Sequence, residues 1–414
     1  MKSRSASWVL YDIASSAYIL MITGVAFPLY FKIHVTQNAQ WSDALWGALL
    51  ALSSILAGIV APLVGAAADI SGERLRYLTW STVICSAATV LLSIPDFGLA
   101  AMASLFCLSY VAYLVAAGLY DALLKGIAQG RSAGWLSSLG WGLGYLGGLL
   151  CYFLCSALLG SNVGADNSAT FALTFLVVGS YYAVVGGVAL FGMRQVQTLP
   201  QGADGGRLLF ASAMRTMKTV RRWKTGGLVP RAIVGGYMIA GAATTLALFT
   251  PILLASHFGL EVKQVAWLSA VFSVISIPAT LLAGWLALRV GSLTIIYGVT
   301  PLWLVLVVLL IFGSGWWAGL AVALCFGVAI GPTNSMARAL VTSIVEESDA
   351  ALMFGFAAMV QRLISAIAPF FFGVLSSATG ERWPAVLMSG SILVVGLLVT
   401  PNHFRHRQEA IAGP

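Results

Sequence analysis

Chemistry on a substrate needs a nucleophile beside a base, or a cluster of metal ligands. This chain offers neither. His34, His257, His403 and His406 all stand near the edges of apolar segments or in the tail, with no acid or thiol spaced to complete a set. Cys85, Cys107, Cys151, Cys155 and Cys325 lie inside apolar runs. Cys151 and Cys155 share a helix face, but no His or carboxylate is close enough in sequence to make a metal site, so they read as ordinary buried thiols. The pattern implies no enzyme and no cofactor. What stands out is a charge. The stretch Gly331–Gly373 places Arg362 about ten residues into an apolar helix that starts near Leu352. At 1.5 Å per residue that is roughly 15 Å deep, near the middle of a ~30 Å hydrocarbon layer. A charge there costs at least about 2.5–3.5 kcal/mol, so it faces a wet cavity, a substrate path or a partner. Packing against helix-end carbonyls is the alternative. A guanidinium suits a carboxylate or phosphate through paired donors.

No acidic residue is expected at the same depth. Asp12 and Asp121 come closest, each about one turn inside the end of its segment, and Arg338 shares their level. Those three could form a latch or a proton site; interfacial snorkelling is the other reading for Arg338 and Asp121.

The elements that must carry these residues follow from composition. The chain is 59% hydrophobic and only 9% charged, against about 25% charged in soluble domains. That makes it an all-α membrane protein. Apolar windows of about twenty residues recur about twelve times, over 8–33, 44–69, 76–95, 98–125, 134–160, 169–194, 228–256, 264–289, 293–313, 316–343, 351–378 and 383–402. The first is too long for a signal-peptide core, so no cleavable signal is expected. The net charge of +8 comes from basic residues at segment edges, a topology signal rather than a nucleic-acid footprint. With the N-terminus inside, Arg74, Arg76, Lys125, Arg131 and the basic residues of the central link all fall inside, so both termini are expected in the cytoplasm.

The predicted organisation is two six-helix halves, 1–194 and 228–414, joined by a cytoplasmic linker, 195–227. Within the linker Phe210, Met214, Met217 and Val220 recur at helical spacing among basic residues, a surface-lying amphipathic helix. The halves echo each other. Pro28 and His34 are matched by Pro251 and His257, and Trp46 by Trp267. Gly65-x3-Asp69-x2-Gly72 is matched by Gly284-x3-Leu288-x2-Gly291. Repeated halves around a midplane site are a common transporter plan.

The sequence GAAADISGERLRY, Gly65–Tyr77, resembles the signature loop of the major facilitator superfamily, with Glu73 where a basic residue is common. The resemblance extends over essentially the whole chain. It implies that Asp69 caps the start of helix 11 and that Arg74 and Arg76 help to close the cytoplasmic side, with Glu346, Glu347 and Asp349 as partners. A narrower resemblance, to the branch containing the fungal vacuolar amino-acid effluxer and its bacterial relatives, is carried by three stretches. They are Ser7–Tyr18, the glycine-rich Gly134–Leu150, and Gly331–Gly373, where Arg362 stands in place of the branch's usual lysine. Ala337 and Ala339 replace serines seen there. Gly140, Gly144 and Gly148 form a small-residue ladder suited to close helix packing.

By analogy with the superfamily's central cavity, Tyr18, Thr23, Tyr113, Tyr120, Thr244, Thr245 and Asn334 join Arg362 as candidate lining residues. The expected function is alternating-access transport of a small zwitterionic or anionic solute such as an amino acid, with efflux favoured, in the cytoplasmic membrane of a bacterium. The partners are the small-molecule substrate, a proton or counter-solute, and the lipid bilayer; the chain is expected to be a monomer. A lipid or hydrophobic-drug exporter and a non-transporting scaffold for assembly or sensing are the other readings.

Overall fold

The structure is a computed structural model. It describes residues 3–37, 39, 42–94, 98–128, 132–159, 168–194, 214, 228–260, 262–346, 350–361, 363–364 and 383–400. Almost all of these are helical, because a chain in lipid must satisfy its backbone N–H and C=O groups within the segment. The first helix, α1, spans residues 3–35 and changes winding on the way. Ser3–Ala17 is α-helical, Tyr18–Ala26 is wound in wider π turns, Phe27–Tyr30 returns to α, and Phe31–Val35 is π again. Pro28, which has no N–H to give, sits between the two widened stretches.

The remaining helices are α2 (Ser42–Ser71), α3 (Arg74–Leu91), α4 (Leu99–Ile127), α5 (Ser132–Leu159) and α6 (Ser168–Met193). They are followed by α7 (Leu228–Ser256), α8 (Val262–Val290), α9 (Ser292–Phe312) and α10 (Gly315–Ile344). The last two are α11 (Ala350–Gln361) and α12 (Trp383–Val399). Among the described residues eight segments are long and apolar enough to cross a membrane, with two shorter apolar helices beside them. Large apolar side chains stay exposed on outer faces, Phe312 at 80% and Trp317 at 79%. Lipid rather than water suits such surfaces.

Two turns repeat. Gly72 joins α2 to α3 at φ +70° and Gly291 joins α8 to α9 at φ +83°. Both angles are open to glycine and strained for other residues, so the echo between Gly65–Gly72 and Gly284–Gly291 is an echo of backbone shape.

Two compact units emerge, and they do not follow chain order. The first comprises residues 1–127, 143–214 and 348–355; the second comprises 128–142, 215–347 and 356–414. In the first, α3 packs on α4 and α6, α1 on α6, and α2 on α4. Its interior is aromatic: Trp8 stacks on Tyr120 at 4.5 Å and Phe27 on Phe106 at 4.3 Å between ring centres. In the second, α10 is the hub, packed on α7, α8 and α9, while α12 packs on α7 and α9. Every residue of α10 from Ala329 to Thr342 is buried, as expected of a helix enclosed on all sides. The division cuts two helices, α5 between Gly142 and Leu143, and α11 between Gly355 and Phe356. Of the linker 195–227, only residue 214 is described.

Candidate functional site

The first polar centre lies in the first unit, at the end of α2. Asp69 is buried, and both of its carboxylate oxygens accept hydrogen bonds. Oδ1 accepts from Arg74 Nε at 2.7 Å and from the Ala351 backbone N–H at 3.2 Å. Oδ2 accepts from the Leu352 N–H at 2.9 Å. A carboxylate in this place satisfies two N–H groups that the first turn of a helix leaves open, and its charge meets the positive end of the helix dipole.

Small residues let α11 come this close. A Cβ on Gly65 would overlap the Ala351 carbonyl, and one on Gly355 would stand 2.9 Å from Pro62 Cα. Arg74 is buried as well, in ion-pair contact with Asp69. Arg76 instead bonds the Glu73 carboxylate at 3.1 Å, both side chains exposed. Glu73, three positions away, thus compensates Arg76 locally. Glu346 is exposed, and Glu347 and Asp349 lie outside the described residues.

In the same unit Asp12 is half-buried and lies beside the glycine face of α5. A Cβ on Gly144 would come 3.8 Å from its Oδ1, and one on Gly147 would overlap the Ile13 carbonyl. Asp121 is half-buried near the end of α4. Tyr18 is fully buried; its hydroxyl bonds Ser109 Oγ at 2.7 Å and its ring stacks on Tyr113 at 4.9 Å. Tyr120 donates to the Trp8 carbonyl at 3.1 Å. A short hydroxyl chain, absent from the sequence reading, links Thr82 and Tyr182 through Tyr11 at 2.7 and 2.8 Å. Thr23 Oγ1, on the π-wound stretch of α1, is buried without a partner among the described residues.

The second polar centre lies in the second unit, on α10. Pro332 lies inside the helix, and the next residues turn to different neighbours. Thr333 accepts from Trp303 Nε1 of α9 at 2.9 Å. Asn334 Oδ1 accepts from Gln361 Nε2 of α11 at 3.4 Å. Ser335 offers its carbonyl to Ser137 Oγ of α5 at 2.7 Å, and its hydroxyl accepts from Ser138 at 3.3 Å. One turn further, Arg338 is buried and grips the same α5 turn, donating to Ser137 Oγ at 2.9 Å and to the Ser137 carbonyl at 2.8 Å. Ser137 was not anticipated, because partners for Arg338 were sought among acids. A hydroxyl one turn into a glycine-rich helix was the available signal.

On α8, Gly284 meets Ser138 as Gly65 meets Ala351. At the position matching Asp69 stands Leu288, which has no charge to offer. Thr244 and Thr245 on α7 donate to the Ala240 and Gly241 carbonyls at 2.9 and 3.0 Å. Arg362 lies outside the described residues. Among those described, no group of three or more His, Cys, Asp or Glu side chains could hold a metal ion.

Comparison with known proteins decides what the arrangement is. Residues 232–411 match the sequence pattern of the Major Facilitator Superfamily. Over 98% of this chain and 99% of the other, the fold superposes on the major facilitator transporter FucP in its outward conformation, with a TM-score of 0.75 at 14% identity. This is the major facilitator fold. The proton:xylose symporter XylE is similar over 96% of this chain and 95% of its own, with a TM-score of 0.71 at 13% identity. The human organic anion transporter MFSD10 is similar over 97% and 100%, at 0.72 and 12% identity. An uncharacterized MFS-type transporter of Bacillus subtilis (strain 168), YxiO, is 23% identical over 401 residues, 95% of this chain and 93% of its own. The sequence match covers the second part of the chain, and the fold shared with these transporters runs along nearly its whole length.

Proposed function

We propose that this major facilitator protein carries a small zwitterionic or anionic solute, such as an amino acid, by alternating access, with efflux the favoured direction. It sits in the cytoplasmic membrane of a bacterium with both termini inside, and it works as a monomer with a proton or counter-solute as its second partner. The observation that carries the reading is the buried Asp69 carboxylate holding two N–H groups of the first α11 turn. A charged group spent on the end of another helix is a contact that forms or releases as one piece, which suits a gate better than a permanent fastening. Arg338, gripping the first turns of α5 in the second unit, supplies a matching latch. Asp12 and Asp121 are the acids through which any proton coupling would run.

The cargo argument uses this chain's own residues, because the carriers with similar folds are named for different solutes. Arg362 is the cation expected at mid-depth with no acid at its level, so the ligand's negative charge is its partner. Tyr18, Tyr113, Thr244, Thr245 and Asn334 are the proposed surroundings. A thermal-shift screen of the purified protein against amino acids, organic acids and lipids supplies the ligand. On that ligand Arg362→Lys keeps the charge but loses the planar fork, so binding weakens while some transport survives. Arg362→Met removes a desolvation cost, so it folds and loses the ligand. A stable Met variant with unchanged affinity would sink the reading.

A further inference from the structure

Among the described side chains of α10 and α11, one facing pair keeps hydrogen-bonding capacity open. Along α10 the polar side chains after Pro332 are engaged with neighbours: Thr333 with α9, Ser335 and Arg338 with α5. Asn334 and Gln361 are different. An amide side chain offers two N–H donors and two carbonyl lone pairs. Asn334 is only 6% exposed and uses one donor on the Ile330 carbonyl at 3.0 Å and one lone pair on Gln361 at 3.4 Å. Gln361 is half-buried and spends one N–H on Asn334. Its Oε1 accepts nothing and its second N–H donates to nothing among the described residues. At 3.4 Å the bond joining the two amides is longer than the usual ~2.9–3.0 Å, so an inserted group displaces little.

The pair is nonetheless well positioned. A Cβ on Gly241 of α7 would lie 3.1 Å from the Gln361 carbonyl, so the α11 backbone is seated against α7 while the side chain reaches α10. The nearby Thr244 and Thr245 hydroxyls are spent on their own helix and do not compete.

We infer that the Asn334–Gln361 pair is a subsite for an uncharged group that both donates and accepts, a hydroxyl or a primary carboxamide, on the transported solute. A carboxylate only accepts and an ammonium only donates, so neither uses both open valences of Gln361. This deepens and rests on the transport reading: the cargo's negative charge is left to the cation proposed there, and the amide pair reads the rest of the molecule. The substrate class is then a hydroxylated or carboxamide-bearing amino or organic acid rather than an aliphatic one.

The test uses the full chain in lipid nanodiscs and matched probes: serine against alanine, glutamine against methionine, malate against succinate. Wild-type protein binds the hydroxyl or carboxamide member of at least one pair about tenfold tighter, the worth of one satisfied hydrogen bond. In Gln361→Met that ratio falls to near one. Gln361→Glu, of the same size, is the second variant should the Met protein unfold; it loses the donor and also lowers the ratio. Binding without discrimination, or a ratio retained in both variants, overturns the inference and leaves the transport reading standing. Uncharged polyols binding at the pair while no acid binds would leave the subsite and remove the anionic cargo. Failure of all these probes to bind removes both.

Discussion

At the residue scale the chemistry is one of buried charges. Asp69 and Arg74 face each other inside protein, with side chains 0% and 3% exposed, where removing one partner of an ion pair costs about 3–5 kcal/mol because the other charge keeps its desolvation penalty. Asp69→Asn should therefore do two things: lower the melting temperature and loosen the start of α11. Adding Arg74→Met to it should recover melting temperature without restoring closure, since the N–H groups of Ala351 and Leu352 still lack their carboxylate. Thermal melts, with labelling of a cysteine placed in the α11 turn, separate the two effects. A double variant that closes normally would take Asp69 out of the gate. Asp69 was legible from sequence because glycine spacing and an acid at a turn are local signals. The grip of Arg338 on Ser137 was not, since it joins residues 201 positions apart through a hydroxyl and a carbonyl. Gln361 was passed over because the neighbouring arginine is the more costly group in lipid.

At the element scale the helices were readable because apolar length leaves little choice in a membrane. Predicted spans 228–256 and 264–289 correspond to α7 at Leu228–Ser256 and α8 at Val262–Val290. The winding of α1 was not readable: a π turn carries no local residue signature of the kind that glycine or proline gives a turn, and nothing in Tyr18–Ala26 sets it above an α turn. Glycines, by contrast, mark where helices touch. Gly65→Ala would drive a methyl group into the Ala351 backbone, which cannot swing aside. Gly187, on α6, has nothing within 4 Å of a built Cβ, so Gly187→Ala should be neutral or gain up to about 1 kcal/mol of helix propensity. Melting temperature should fall clearly for the first and hold for the second. Equal behaviour would mean that the Gly65 approach is not tight.

At the scale of the whole molecule, function turns on what drives the cycle. Asp12 and Asp121 are half-buried near helix ends, and no acid is expected at mid-depth, which favours facilitated flux or exchange. In proteoliposomes loaded with substrate, counterflow should proceed at equal pH, and an imposed pH gradient should add little. Flux that follows the gradient and persists after Asp12→Asn and Asp121→Asn are combined would show that protons travel by another route.

The composition of the first unit also has a consequence for how the protein is made. Asp69 precedes the N–H groups it binds by 282 and 283 positions. At the usual ~5–20 residues per second of synthesis, roughly 15–55 s pass before they emerge. Throughout that interval the carboxylate is on its way into an apolar environment, and its eventual partner is still messenger RNA. Arg74, five positions away, is available at once. The local ion pair can thus act as an escort, holding the nascent α2–α3 hairpin neutral until the far end of the chain arrives to claim the oxygens. A ribosome-stalled chain ending before residue 350 should already protect its Asp69–Arg74 turn from labelling, and one lacking Arg74 should not.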